Sequence, residues 1–198
     1  PHDWRSKTPT IFRATEQWFI GVDRPLGSEA DAFTLRSLAQ DVTGKPLAEG
    51  GVDFIPDWGR NRLGGMLESR PDWCVSRQRS WGLPIPAFFT PDGDVLCTAE
   101  TVRTVAACFG EHGSDAWYTM TPAEILSGYD LTEDDAVEDA SKFDLATLTK
   151  GGDIFDVWFE SGSSWAAVAK LRGLVEDIPV DLYLEGSDQH RGWFQLSL

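Results

Sequence analysis

The chain has 198 residues, 41% hydrophobic and 25% charged, with 32 acidic against 17 basic side chains and a net charge of −15. Such a composition is globular and supplies enough apolar material for a core. It contains no apolar run long enough to span a bilayer and no basic leader ahead of an apolar segment, so the expected setting is soluble and cytoplasmic. The charge excludes a surface built as a whole to hold phosphates.

The predicted elements follow in chain order. Residues 10–23 are rich in strand formers (Ile11, Phe12, Trp18, Phe19, Ile20, Val22), and residues 31–41 carry Phe33, Leu35, Leu38 and Ala39 at helical spacing before Gly44 and Pro46. A short strand is expected at Val52–Ile55. A helix over 57–69 follows, with Asp57 as its N-cap, and Pro71 stops it. Residues 73–76 read as a strand leading to Arg77-Gln78-Arg79. Residues 86–97 read as a hairpin turning at Pro91-Asp92-Gly93-Asp94, and residues 99–109 as a helix. A short helix is expected after Thr121-Pro122. The acidic residues Asp130, Glu133, Asp134, Asp135, Glu138 and Asp139 then read as a solvated loop or helix face.

Ile154–Phe159 has a buried-strand pattern, Ser163–Leu171 reads as a helix, residues 180–184 as a strand, and a further helix starts near Asp188 after Gly186. This alternation predicts an α/β unit with a parallel sheet, whose ligands bind beyond the carboxyl ends of the strands. Cys74, Cys97 and Cys108 are too few and too scattered for a disulfide framework and read as buried, reduced thiols. The chain starts with Pro1, and its last residues open an amphipathic helix that lacks a C-cap, so it reads as a piece of a longer protein.

Three clusters carry candidate chemistry. Glu185-Gly186-Ser187-Asp188-Gln189-His190 puts two carboxylates, a carboxamide and an imidazole where a glycine turn meets a helix start, which suits ribose hydroxyls, an ammonium group or an anion. The same residues also read as a polar helix cap. Asp156 to Trp165 sets Trp158 beside a Ser/Gly-rich turn, either as the wall of an apolar pocket or as a core residue with Trp165. Arg77, Gln78 and Arg79, with Trp73 and Trp81 on either side, can hold phosphate beside stacking rings or can be surface arginines lying over aromatic residues. There is no G-x-G-x-x-G, no G-x-x-x-x-G-K-[ST], and no Cys or His pair at zinc spacing.

Read together, Ala14-Thr15-Glu16-Gln17-Trp18-Phe19, Ser76-Arg77-Gln78-Arg79 with Trp81-Gly82-Leu83-Pro84-Ile85-Pro86, Asp156-Val157-Trp158-Phe159-Glu160-Ser161-Gly162-Ser163 and Tyr183-Leu184-Glu185-Gly186-Ser187-Asp188-Gln189-His190-Arg191-Gly192-Trp193 resemble the isoleucyl-tRNA synthetases, a family of class I aminoacyl-tRNA synthetases. The last segment is the most specific, because the valyl relatives differ there. The resemblance implies an α/β fold: the second half of a Rossmann-type parallel-sheet catalytic domain, with an α+β connective segment and a variable insertion. It divides the chain into a return from the editing insertion (1–56), a core helix with the Ser-Arg-Gln-Arg segment and hairpin (57–120), a variable acidic insertion (121–150), and a strand–helix–strand–helix unit with the adenylate and amino-acid site (151–198).

It further implies ATP-driven activation of isoleucine and its transfer to tRNA. Glu185, Gly186, Asp188 and Gln189 would line the adenylate site, Trp158 and Trp193 would flank the isoleucine side chain, and Arg77, Gln78 and Arg79 would contact tRNA or phosphate. ATP is the substrate, with Mg2+ in the parent enzyme, which is expected to be a monomer with no membrane partner. No acid, base or nucleophile is assigned. Two departures stand out. The HIGH and KMSKS signatures are absent, so the piece alone is expected to be inactive, and Asp3 and Ser6 stand where some members place zinc-binding cysteines, so no metal is expected here. The alternatives are a valyl or leucyl enzyme, and a carbohydrate-active protein with Trp platforms and the carboxylates Glu160 and Glu185.

Overall fold

A computed structural model describes residues 1–27, 33–175, 182–192 and 194. The first helix, α1 (Leu35–Gly44), starts where Thr34 and Ser37 form a capping box: each side chain accepts the other's backbone N–H, at 3.0 and 2.9 Å. This fixes the start of the helix and carries it to Gly44. The next helix, α2 (Trp58–Ser69), packs against α1 and buries Leu63 and Leu67. Asp57 is at its N-cap without a side-chain cap bond. The strand expected at Val52–Ile55 does not form. Its backbone is satisfied locally: Val52 N–H donates to the Lys45 carbonyl (3.1 Å), and the Val52 carbonyl accepts from Arg60 Nη2 (2.8 Å).

The best-packed part lies in the middle of the chain. Strands β4 (Phe88–Phe89) and β5 (Val95–Leu96) form the expected hairpin, and β6 (Thr149–Lys150) joins the other edge of β4. Helix α3 (Ala99–His112) begins at a Thr98–Thr101 capping box, and the short helices α4 (Ala116–Thr119) and α5 (Pro122–Ile125) follow. Phe88, Leu96, Val105, Trp117, Ile125, Leu126 and Leu148 make one buried cluster, with the Phe88 and Trp117 ring centroids 5.2 Å apart. Trp117 Nε1–H donates to the Gly151 carbonyl at 3.1 Å, and Lys150 Nζ donates to the Trp117 and Met120 carbonyls.

Residues 121–150 are therefore integral to this core. The acidic run is also not wholly solvated. Asp134 is buried, and its carboxylate accepts from Thr98 Oγ1 (2.6 Å), Tyr129 Oη (2.8 Å) and Ala136 N–H (3.0 Å). These bonds, Thr98's foremost, hold the Asp134 carboxyl below its ordinary value. Burial, with the Asp134 bond second, pushes the Tyr129 phenol up.

Of residues 10–23, only β1 (Phe19–Ile20) pairs, with β2 (Trp73–Cys74). Residues 73–77 split at Val75, and β3 (Ser76–Arg77) pairs instead with β7 (Ile154–Phe155). All strand pairs among the described residues are antiparallel, rather than the parallel sheet expected. The strand predicted over Ile154–Phe159 stops at Phe155 because Asp156 caps a helix, α6 (Val157–Gly162). A parallel return needs a crossover of a dozen or more residues, and α6 follows the strand at once into π-helical turns at Trp165–Lys170. Leu182–Leu184 lie outside any strand and Ser187–His190 form a 3-10 turn, while the start of the expected strand (180–181) and most of the helix expected beyond Asp188 lie outside the described residues. Cys97 is exposed and Cys74 and Cys108 are half-buried, so none is a fully buried thiol; Cys97 directly follows the buried Leu96 at the end of β5.

Candidate functional site

The site is organised around Asp156, which is 5% exposed. Its backbone N–H donates to the Val75 carbonyl at 2.7 Å. Its carboxylate receives Trp73 Nε1–H (3.0 Å), pairs with Arg77 Nη2 (3.0 Å) and caps α6 through Trp158 N–H (3.4 Å). One carboxylate thus ties β2, β3 and α6 together, and sets where Trp158 leaves the chain. Behind α6, Ile20, Val22, Leu38, Leu67, Phe159 and Trp165 help line an apolar cavity of about 370 Å³.

The sequence-predicted residues meet only in part. Gly192 is buried, and a Cβ there would lie 2.9 Å from Cη2 of Trp158 and 2.7 Å from Oε1 of Gln189. Trp158 therefore lies against the segment that carries Glu185, Gly186, Asp188 and Gln189. Only an unsubstituted backbone fits this approach. Trp158 is 36% exposed, and Trp165 is 37% exposed; neither is a core residue. Glu185 and Asp188 are exposed. Burial first and Glu185 second raise the Tyr183 phenol. Gln189 Nε2 donates to Asp188 Oδ2 at 3.2 Å, and His190 Nδ1 lies 2.7 Å from the Ser187 carbonyl. The cap at this turn is Gly186, without a side-chain bond, so Ser187 and Asp188 do not serve as its cap. Trp193 lies outside the described residues.

Of the basic segment, Arg77 Nη1 donates to the Cys74 and Ser76 carbonyls (2.8 and 2.7 Å), and Gln78 Nε2 to Asp153 Oδ1 (2.9 Å) and Gln17 Oε1 (3.2 Å). Both are committed to the protein. Arg79 is exposed and has no protein partner among the described residues.

A family model described as tRNA synthetases class I (I, L, M and V) matches residues 3–198. The chain belongs to this family. Relatives named isoleucine–tRNA ligase, from Nitratiruptor sp. (47% identical over 204 residues), Sulfurimonas denitrificans (48% over 205) and Synechococcus sp. (48% over 200), align with all of this chain. The chain spans about a fifth of their length, 20%, 20% and 18% respectively. In this class I synthetase chain, no described helix is long and apolar enough to cross a membrane. The structure adds Asp156 and Gly192 to the residues singled out from sequence. An Asp directly before a helical run is a cap signal, but a strand reading extended to Phe159 conceals it. Nothing local marks Gly192 as the seat of Trp158, since that contact joins segments far apart in sequence.

Proposed function

We propose that this chain forms the amino-acid and adenylate wall of an enzyme that activates isoleucine with ATP and transfers it to the 3′ end of its tRNA. The single observation that carries the reading is Trp158 against Gly192, which joins the two segments the resemblance assigns to one pocket. The names of the relatives support the same amino acid. In this reading Trp158 and Trp193 flank the isoleucine side chain. Glu185 and Asp188 hold its ammonium group or the ribose hydroxyls, Gly186 lets the ligand approach the backbone, and Gln189 supplies a donor and an acceptor.

The isoleucine carboxylate attacks the α-phosphorus of ATP, and pyrophosphate leaves. The chain contributes position and electrostatics rather than an acid or base. Magnesium would accompany ATP in that chemistry, and this chain's own residues would bind and orient the substrate. The strand–helix units would be the second half of a Rossmann-type sheet with an α+β connective segment, their parallel neighbours coming from the rest of the polypeptide. The enzyme would act as a monomer in the cytoplasm. Arg79 remains available for tRNA or phosphate, while Arg77 and Gln78 set its approach.

The test is amino-acid-dependent ATP–pyrophosphate exchange by the full-length enzyme. Isoleucine should drive it with the highest kcat/KM; faster exchange with valine or leucine would replace this reading with one of the other members of the group. The 198 residues alone should show no exchange, since neither HIGH nor KMSKS lies in the sequence.

A further inference from the structure

A second groove, of about 540 Å³, lies between the loop Ser80–Leu83 and the turn into α4. Its walls include Trp81 and Tyr118, which are 88% and 61% exposed, and the carboxylates of Asp115 and Glu160. The backbone beneath both rings is held in place. Leu83 N–H donates to Glu160 Oε1 (3.2 Å), and the Leu83 carbonyl accepts from Phe155 N–H (2.8 Å). Gly82 has φ +149°, and a Cβ there would lie 2.5 Å from Ile154 Cδ1. The backbone is thereby pinned on one side of Trp81 in a conformation that turns the indole into water. Tyr118 follows the buried Trp117, and its N–H donates to the Asp115 carbonyl at 2.9 Å. The core explains neither ring's exposure.

We infer that this groove holds an unpaired nucleotide at the single-stranded 3′ end of tRNA. This rests on the synthetase reading above. Aromatic faces stack on any base. Carboxylates accept hydrogen bonds from ribose hydroxyls but repel phosphate, so the backbone must run outside the groove. Arg79, two residues before Trp81 and exposed, is the cation placed to meet it.

The experiment uses the full-length enzyme with Trp81→Ala, Trp81→Phe and Tyr118→Ala. It compares the KM for tRNA in aminoacylation with isoleucine-dependent ATP–pyrophosphate exchange measured without tRNA. Trp81→Ala should raise the KM for tRNA about fivefold or more, from the strength of one base–aromatic stack. Trp81→Phe should recover most of that loss, Tyr118→Ala should follow Trp81→Ala, and exchange should stay within about twofold in all three. Unchanged tRNA kinetics would overturn the inference. So would a parallel fall in exchange, which would mean that the groove serves ATP or seats another part of the polypeptide. If valine or leucine drives exchange while the tRNA effect persists, the isoleucine reading fails and the groove assignment stands.

Discussion

Gly192→Ala in the full-length enzyme probes the contact that joins the two segments of the proposed pocket. The added methyl would sit 2.9 and 3.1 Å from two indole carbons of Trp158 and 2.7 Å from Gln189 Oε1. Ordinary van der Waals contact begins near 3.4 Å, so the ring would have to move by about 0.5 Å. Gln189 can swing away at little cost. Trp158 moves at a greater cost, because its ring is large and the Asp156 cap on α6 fixes where it leaves the backbone. Overpacking of this kind costs about 1–3 kcal/mol, and the partial exposure of Trp158 favours about 1–2. Spent on displacing the pocket wall, that raises the KM for isoleucine about 5- to 30-fold. Steady-state ATP–pyrophosphate exchange measures it, with isoleucine and ATP varied in turn, and the KM for ATP should move less than that for isoleucine. An unchanged KM for isoleucine in an intact enzyme would refute the placement of Trp158 against Gly192.

Trp117→Ala removes the largest side chain of the central cluster and the ring that Phe88 packs on; the expected loss is about 3–5 kcal/mol, read as a fall of more than a hundredfold in hydrogen-exchange protection of the β4 amides. Asp134→Asn tests the buried carboxylate. Its folded value lies below the ordinary 3.8, so its contribution is present above that value and lost as pH falls through and below it. Thermal unfolding followed from about pH 5 to pH 2 should show a shallower acid loss in the variant, and an identical profile would contradict the assigned bonds.

Much of the scaffold was legible because local chemistry decides it. Gly44 and Pro46 end α1, Pro71 follows α2, and Gly93 turns the β4–β5 hairpin at φ +93°. Misreadings arose where distant partners decide. Val52–Ile55 has the apolar look of a strand, but Arg60 and Lys45 take up its backbone groups. Asp134 sits in an acidic run that reads as solvated, and only the fold brings Thr98 and Tyr129 to it. Ile154–Phe159 is apolar apart from Asp156, and the Asp156 side chain caps the second half as helix. At the site, the residue types at 185–189 were visible. Their meeting with Trp158 was not, because it depends on Gly192 leaving room for an indole from more than thirty residues earlier.

In the proposed pocket, Trp158 is the wall that the isoleucine side chain meets. Trp158→Ala in the full-length enzyme tests it most directly through ATP–pyrophosphate exchange. The KM for isoleucine should rise about tenfold or more, from lost aromatic contact, with the KM for ATP within about twofold of the parent. Equal changes in both constants, or none in that for isoleucine, would contradict it.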